Sequence, residues 1–77
     1  NCLVNVGAIV CHDVVLGDHV HVTPGAILAG SVTVGDGSTI GMAATVLDGT
    51  RVGRNCLVPN NARVIRDLGD GETAPLS

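Results

Sequence analysis

The sequence lacks Phe, Tyr and Trp entirely, and it has only 4 Lys and Arg residues against 7 Asp and Glu residues. Without aromatic side chains the chain offers no stacking platform for single-stranded nucleic acid. A formal net charge of −3 argues against a protein that binds a phosphate backbone. No apolar run approaches the roughly 18 residues of a membrane span, and no signal-peptide pattern opens the chain. We therefore expect no nucleic-acid partner and no membrane insertion.

Cysteine is scarce as well, with 3 residues. An odd number disfavours a disulfide framework, so a reducing cytoplasm is the expected location. The chain has 11 Gly residues, but a hydrophobic fraction of 45% over 77 residues indicates a folded chain rather than a disordered one. Without aromatic residues, a core this small must come from Val, Ile, Leu and Ala. That predicts a repetitive architecture, an oligomer, or both.

A six-residue repeat organises the chain. Val, Leu or Ile recurs at every sixth position without a miss, at Val4, Val10, Leu16, Val22, Leu28, Val34, Ile40, Val46, Val52, Val58 and Val64. A second series, two residues before each of these, is small or β-branched: Cys2, Ala8, Val14, Val20, Ala26, Val32, Ser38, Ala44, Thr50, Cys56 and Ala62. Because side chains two apart on a strand share a face, both series are predicted to point inward. Each hexad then reads as a short strand and a bend, and stacked hexads close the core.

Hexads of this kind resemble those of the hexapeptide-repeat acyltransferases, which implies an all-β fold, a left-handed parallel β-helix of about three and a half triangular coils. Three hexads make one coil, so residues 18 apart stack. The regular hexads end at Val64, and we expect residues 1–66 to form the β-helix and residues 67–77 a terminal turn and loose tail. The first hexad begins at once, so we interpret the chain as a fragment or an excised C-terminal domain.

Three histidines are the main candidates for chemistry. In the repeat frame His12 falls at a corner, His19 in the next bend, and His21 on the middle of a face, pointing outward. His12 and His21 are nine residues apart, half a coil, which places them well over ~10 Å from each other. They are too distant to cooperate within one subunit. We expect them to meet where a corner of one prism docks against a face of its neighbour.

The 18-residue spacing also predicts which residues stack on His12 in the next two coils. Gly30 lies 18 residues further on and Asp48 one coil later, so the absent side chain of Gly30 leaves the corner open and its N–H accessible. Asp13 is placed to fix the tautomer of the His12 imidazole. The alternative is that Asp13 is simply solvated and Gly30 only forms a bend.

The order of these residues resembles one branch of the superfamily, the sialic acid O-acetyltransferase and UDP-4-amino-sugar N-acetyltransferase group. The similarity covers residues 1 to about 66 and rests on a pattern of His-Asp, a second His, Pro-Gly and Gly, here His12, Asp13, His21, Pro24, Gly25 and Gly30. The resemblance implies that His12 is the general base, Asp13 its supporting acid, His21 a contact near the acetyl group of acetyl-CoA, and Gly30 the N–H donor to the thioester. It also implies a homotrimer with acetyl-CoA between neighbouring prisms, and an N-terminal nucleotide-sugar-binding domain that these residues do not include.

Two other chemistries fit the sequence less well. Cys11 adjoins His12, but adjacent residues rarely align a thiol with an imidazole, so a Cys-His nucleophile is disfavoured. γ-Type carbonic anhydrases use a similar helix with three His ligands. The three histidines here lie within ten residues and point in different directions, so we expect no metal site. Cys2 and Cys56 fall in the inward series as small apolar residues.

Charge is unevenly distributed along the chain. Residues 1–50 carry four acidic groups and no Lys or Arg, and all the basic residues follow within 16 positions: Arg51, Arg54, Arg63 and Arg66. Arginine suits phosphate recognition, so these four are candidate contacts for the phosphates of CoA. A solvated rim is the alternative.

The sequence therefore predicts an acetyl-CoA-dependent acetyltransferase domain that modifies an amine or hydroxyl of a sugar or nucleotide-sugar, with direct transfer and His12 as base. N- and O-acetylation both remain open. The alternatives are a non-catalytic trimeric scaffold, or acetyl transfer to a small amino acid such as serine. The chain ends in Thr73-Ala-Pro-Leu-Ser77 where the family usually has Gly-x-Pro-Ala, a departure near the donor.

Overall fold

The computed structural model describes residues 2–75, within which it has eleven strands of two residues and no helix. The strands are β1 (Leu3–Val4), β2 (Ile9–Val10), β3 (Val15–Leu16), β4 (His21–Val22), β5 (Ile27–Leu28), β6 (Thr33–Val34), β7 (Thr39–Ile40), β8 (Thr45–Val46), β9 (Arg51–Val52), β10 (Leu57–Val58) and β11 (Arg63–Val64). Accordingly, no helix in this part of the chain has the length and hydrophobicity to cross a membrane.

The strands form three parallel sheets, one on each side of a triangular prism. Sheet A has the order β1-β4-β7-β10, sheet B has β11-β8-β5-β2, and sheet C has β3-β6-β9. Paired residues are 18 apart throughout these sheets, as in Leu3↔His21 and Val15↔Thr33. Three consecutive strands therefore make one coil, which agrees with the left-handed β-helix of hexapeptide repeats and confirms the predicted fold.

Three columns of turns connect the sheets. The A–B corner consists of turns at 6–7, 24–25, 42–43 and 60–61. The B–C corner has turns at 12–13, 30–31 and 48–49, and the C–A corner has turns at 18–19, 36–37, 54–55 and 70–71. The second residue of each turn has positive φ, and six of these residues are not glycine: Asp13, His19, Ser31, Ala43, Asn55 and Asn61.

The interior is formed by the two inward series. From Val20 onward every member of both series is buried, including Leu28, Ile40 and Val58 at 0% exposure. In the first coil the inward side chains of Val4 and Val10 are 49% and 39% exposed, because the coil has a neighbour on one side only. The same position explains why Cys2 is exposed whereas Cys56 is buried.

Polar side chains link one coil to the next at the corners. Asp36 Oδ1 accepts the Asp18 N–H, Asn60 Oδ1 accepts the Met42 N–H, and Asp70 Oδ1 accepts the Arg54 N–H, each at 2.8 Å. Inside the prism Ser38 Oγ donates to the Gly53 carbonyl at 2.6 Å and accepts the Cys56 N–H at 3.0 Å. These bonds satisfy main-chain groups that the sheets leave unpaired.

The described part of the C-terminal segment, residues 67–75, differs from the expected terminal turn and loose tail. Leu68 forms a parallel bridge with Val52, and Thr73 forms one with Leu57. Leu68 and Ala74 are buried at 4% and 2% exposure. The partners are 16 residues apart rather than 18, so the segment is a shortened continuation of the prism. The physical reason is that Leu68 and Ala74 continue the six-residue series of inward residues beyond Ala62.

An ion pair holds this shortened coil. Arg66 Nη2 lies 3.1 Å from Glu72 Oε2, and Glu72 Oε1 accepts the Gly69 N–H at 2.6 Å. The hydrogen bond from Arg66, with that from Gly69, lowers the pKa of the Glu72 carboxyl below its usual value. The same hydrogen bond with Glu72 raises the pKa of Arg66.

Candidate active site

His12 lies in the B–C corner, as the repeat frame predicts, and Asp13 turns back towards its ring. His12 Nδ1 is 3.2 Å from Asp13 Oδ2, and the two side chains are 85% and 79% exposed. Asp13 has a φ of 60°, a left-handed conformation that Asp tolerates better than most residues. With Nδ1 directed at the carboxylate, the Nε2 atom of His12 faces away from Asp13 and is open to solvent.

Gly30 lies directly beside the His12 ring in the next coil. A side chain at residue 30 would place its Cβ 3.4 Å from His12 Cε1 and 3.6 Å from Nε2. The main chains are fixed against each other, because the Ser31 N–H donates to the His12 carbonyl at 3.1 Å and the Gly49 N–H donates to the Gly30 carbonyl at 3.0 Å. Within residues 2–75 the Gly30 N–H has no protein acceptor. Residue 30 is therefore at van der Waals distance from the imidazole, and its free N–H is a donor next to the ring.

Asp48 lies one coil beyond Gly30 but does not bond to it. At three comparable turns, two in the C–A corner and one in the A–B corner, an Asp or Asn side chain accepts the N–H of the turn one coil earlier. Asp48 makes no such bond to the Gly30 N–H in the described part of the chain, and its side chain is exposed. The corner therefore brings together His12, Asp13 and a free Gly30 N–H.

The structure separates the other two histidines from this corner. His21 is in β4 on sheet A, exposed and paired in register with Leu3 and Thr39, on the side of the prism opposite the B–C corner. His19 is in the C–A corner with a φ of 59°. Both placements match the sequence prediction. His12 and His21 do not meet within one chain.

The four arginines do not form one cluster. Arg51 is exposed on sheet C and Arg63 on sheet B, and within residues 2–75 neither guanidinium has an ion-pair or hydrogen-bond partner. Arg54 Nε lies 3.7 Å from Asp70 Oδ2 in the C–A corner, while Arg66 is held by Glu72. Arg51 and Arg54 line one open groove, which the sequence did not predict because its floor is made of glycines from two coils.

Cys11 and the metal-ligating residue types are placed as follows among the described residues. Cys11 is exposed beside His12, but its side chain has no hydrogen bond with the ring in this part of the structure. Residues 2–75 contain no group of three or more His, Cys, Asp or Glu side chains placed to hold a metal ion.

The family model for the bacterial transferase hexapeptide, which comprises six repeats, matches residues 31–66. This match agrees with the three-sheet prism, in which three hexads make one coil. Residues 31–66 are hexapeptide repeats of the bacterial transferase type. No curated protein sequence matches this hexapeptide-repeat chain significantly.

Two solved structures are closely similar to this hexapeptide-repeat domain. One is the acetyltransferase domain of PglB from Neisseria gonorrhoeae in complex with acetyl coenzyme A, with 38% identity over 94% of this chain and a TM-score of 0.92. The other is a mutant of perosamine N-acetyltransferase from Caulobacter crescentus in complex with CoA and GDP-perosamine, with 32% identity over 99% of this chain and a TM-score of 0.91. The chain spans 35% and 39% of the lengths of these two proteins.

Proposed function

We propose that this domain transfers an acetyl group from acetyl-CoA to an amine or hydroxyl group of a sugar or nucleotide-sugar. The observation that carries the proposal is the B–C corner, where the His12–Asp13 pair adjoins the free N–H of Gly30. A base and a main-chain donor side by side are what attack on a thioester requires. The similar structures, one bound to acetyl coenzyme A and one to CoA and GDP-perosamine, support the donor and the acceptor class.

In the proposed mechanism His12 Nε2 is the base. Asp13 accepts a hydrogen bond from Nδ1–H, which fixes the tautomer whose Nε2 carries the lone pair. Nε2 removes a proton from the amine or hydroxyl group of the acceptor. At the same time the nitrogen or oxygen atom of that group forms a bond to the thioester carbonyl carbon. The carbonyl oxygen becomes an oxyanion that accepts the Gly30 N–H. The carbon–sulfur bond then breaks, the CoA thiolate leaves and takes a proton from the imidazolium, and no acyl-enzyme forms.

We propose further that the domain works as a homotrimer with the site between subunits. His21, the second proposed contact near the acetyl group, lies on sheet A, and only a neighbouring prism can bring it to the B–C corner. Outward apolar side chains support such docking, since Leu3 and Leu57 on sheet A and Ile9 on sheet B are 53%, 47% and 53% exposed. Surfaces of this kind are typical of an interface between chains.

Mixing two inactive variants tests this composite site. His12→Asn and His21→Asn trimers, each assayed for CoA release and acetylated product with a panel of amino-sugars, nucleotide amino-sugars and serine, should be nearly inactive. Equal amounts of the two, unfolded and refolded together, should recover about one quarter of the wild-type rate, because each of the two subunits at a site has an even chance of carrying the required histidine.

Several outcomes would contradict the proposal. A mixture as inactive as its two parents would place both histidines in the same subunit, since every chain would then lack one. A monomer with full activity would rule out the interface. Transfer to serine alone would move the acceptor from sugars to small amino acids. A folded trimer with no transfer to any acceptor and no donor binding would favour a scaffold.

A further inference from the structure

An open groove of about 380 Å³ lies along sheet C and the C–A corner, on a different corner from His12. Its floor is formed where Gly35 and Gly53 begin the corner in successive coils. A Cβ at Gly35 would lie 2.7 Å from the Arg54 N atom, and a Cβ at Gly53 would lie 2.7 Å from the Asp70 N atom. Glycine at both positions therefore lets the main chains of successive coils pack closely along the groove.

Two arginines line the groove. Arg51 is on β9, where Val52 points inward and Arg51 outward, and it is paired in register with Thr33, whose hydroxyl group lies in the coil above. Among the described residues the Arg51 guanidinium has no carboxylate partner. Arg54 lies 3.7 Å from Asp70 with both side chains about two-thirds exposed, at 67% and 65%, so water screens this long ion pair and weakens it.

The acidic residues of the groove are already engaged with the main chain. Asp36 Oδ1 accepts the Asp18 N–H and Asp70 Oδ1 accepts the Arg54 N–H, each at 2.8 Å. The Asp36 N–H is different, because the residue at the matching position of the next coil is Arg54, whose side chain has no acceptor atom. Within residues 2–75 that N–H therefore has no protein partner. The groove is thus lined by two arginines, Thr33 and a residue with a free N–H, together with the carboxylates of Asp36 and Asp70.

We propose that this groove binds a phosphoryl group, with Arg51 as its principal contact and Arg54 as the second. Arginine forks match the oxygen geometry of phosphate, and an unpaired main-chain N–H adds a donor that needs no rearrangement. These residues form the groove whether or not the domain transfers acetyl groups. That the phosphoryl group belongs to CoA or to a nucleotide-sugar rests on the proposed function.

Titration with sodium pyrophosphate, followed by the amide signals of the isotope-labelled protein at constant ionic strength, tests the groove. We expect the amides of Gly35, Asp36 and Gly53 to shift in a saturable way. Arg51→Gln should weaken this binding about tenfold, because it removes charge-assisted hydrogen bonds. Thr33→Val should weaken it less. Arg63→Gln is the matched control, since Arg63 is also exposed and unpaired among the described residues but lies on sheet B outside the groove.

No saturable shift at these amides would overturn the inference, and so would an equal loss of binding in Arg51→Gln and Arg63→Gln. Parallel titrations with CoA and with uridine diphosphate identify the source of the phosphoryl group. If CoA shifts the groove amides and Arg51→Gln weakens CoA binding, the groove holds the donor. If only uridine diphosphate does so, it holds the acceptor nucleotide. Because pyrophosphate binding needs neither molecule, the groove and the acetyltransferase proposal fail independently.

Discussion

Replacement of His12 by Asn should lower the rate of acetyl transfer about 10²–10⁴-fold, the usual contribution of a general base. The expected loss follows from the geometry of the B–C corner. His12 Nδ1 is 3.2 Å from Asp13, and the ring lies beside Gly30, so Nε2 is the atom placed to take the proton of the acceptor. The loss should appear in kcat, with donor affinity changed little, because the base acts in the transition state.

His19→Asn is the matched control for this prediction. His19 is also an exposed turn histidine, but it lies in the C–A corner, and Asn tolerates its φ of 59°. The control should keep the wild-type rate, and both variants should keep the thermal stability and oligomeric state of the wild type. Cys11→Ala should also remain active. If Cys11→Ala were inactive while His12→Asn kept its activity, the nucleophile would be the thiol and the mechanism would be wrong.

Gly41→Ala should destabilise the prism by about 3 kcal/mol or more, the upper range for overpacking a filled interior. Gly41 follows β7 where sheet A enters the A–B corner. A methyl group there would lie 2.6 Å from each of three main-chain atoms in the next coil: Val58 O, Pro59 C and Asn60 N. Main-chain atoms cannot turn aside as a side chain does, so the two coils must separate and weaken the 2.7 Å bond from Gly41 N–H to the Val58 carbonyl.

Gly69→Ala provides the matched comparison. Its nearest contact would be the flexible Glu72 Oε1 atom at 3.6 Å, and its φ is not in the left-handed range. Thermal unfolding followed by circular dichroism at one protein concentration should show Gly41→Ala melting roughly 10–20 °C lower, whereas Gly69→Ala should stay within a few degrees of the wild type. Equal melting temperatures for the two variants would mean that the close packing of coils at Gly41 is not a determinant of stability.

Much of the fold was predictable because the six-residue repeat follows from which side chains pack in the interior of the prism. Leu28 and Ile40 recur in phase because each fills the equivalent interior position on its own side of the prism, and both are buried. The C-terminal continuation was missed because the aliphatic series breaks at Asp70. Leu68 and Ala74 do keep the phase of the other inward series, and that signal would have extended the prism to these residues.

For the candidate site, the repeat predicts the coil and the side of the prism on which each residue lies. An 18-residue step brings Gly30 beside His12, and a strand position turns His21 outward on another face. The sequence does not fix side-chain rotamers, however. All four arginines lie within 16 positions of the sequence, whereas in the structure Arg54 and Arg66 have acidic partners and Arg51 and Arg63 face different sides of the prism. The groove beside Arg51 depends on glycines from two coils, which a linear reading does not connect.

Titration of acetyl-CoA into the protein by calorimetry tests the central claim most directly, on a sample first shown to be folded and trimeric. The proposed function predicts saturable binding with a stoichiometry near one donor per chain, competed by free CoA, because a trimer has three equivalent interfaces. The absence of binding by such a folded trimer would contradict an acetyl-CoA-dependent transferase and leave a structural prism as the better account.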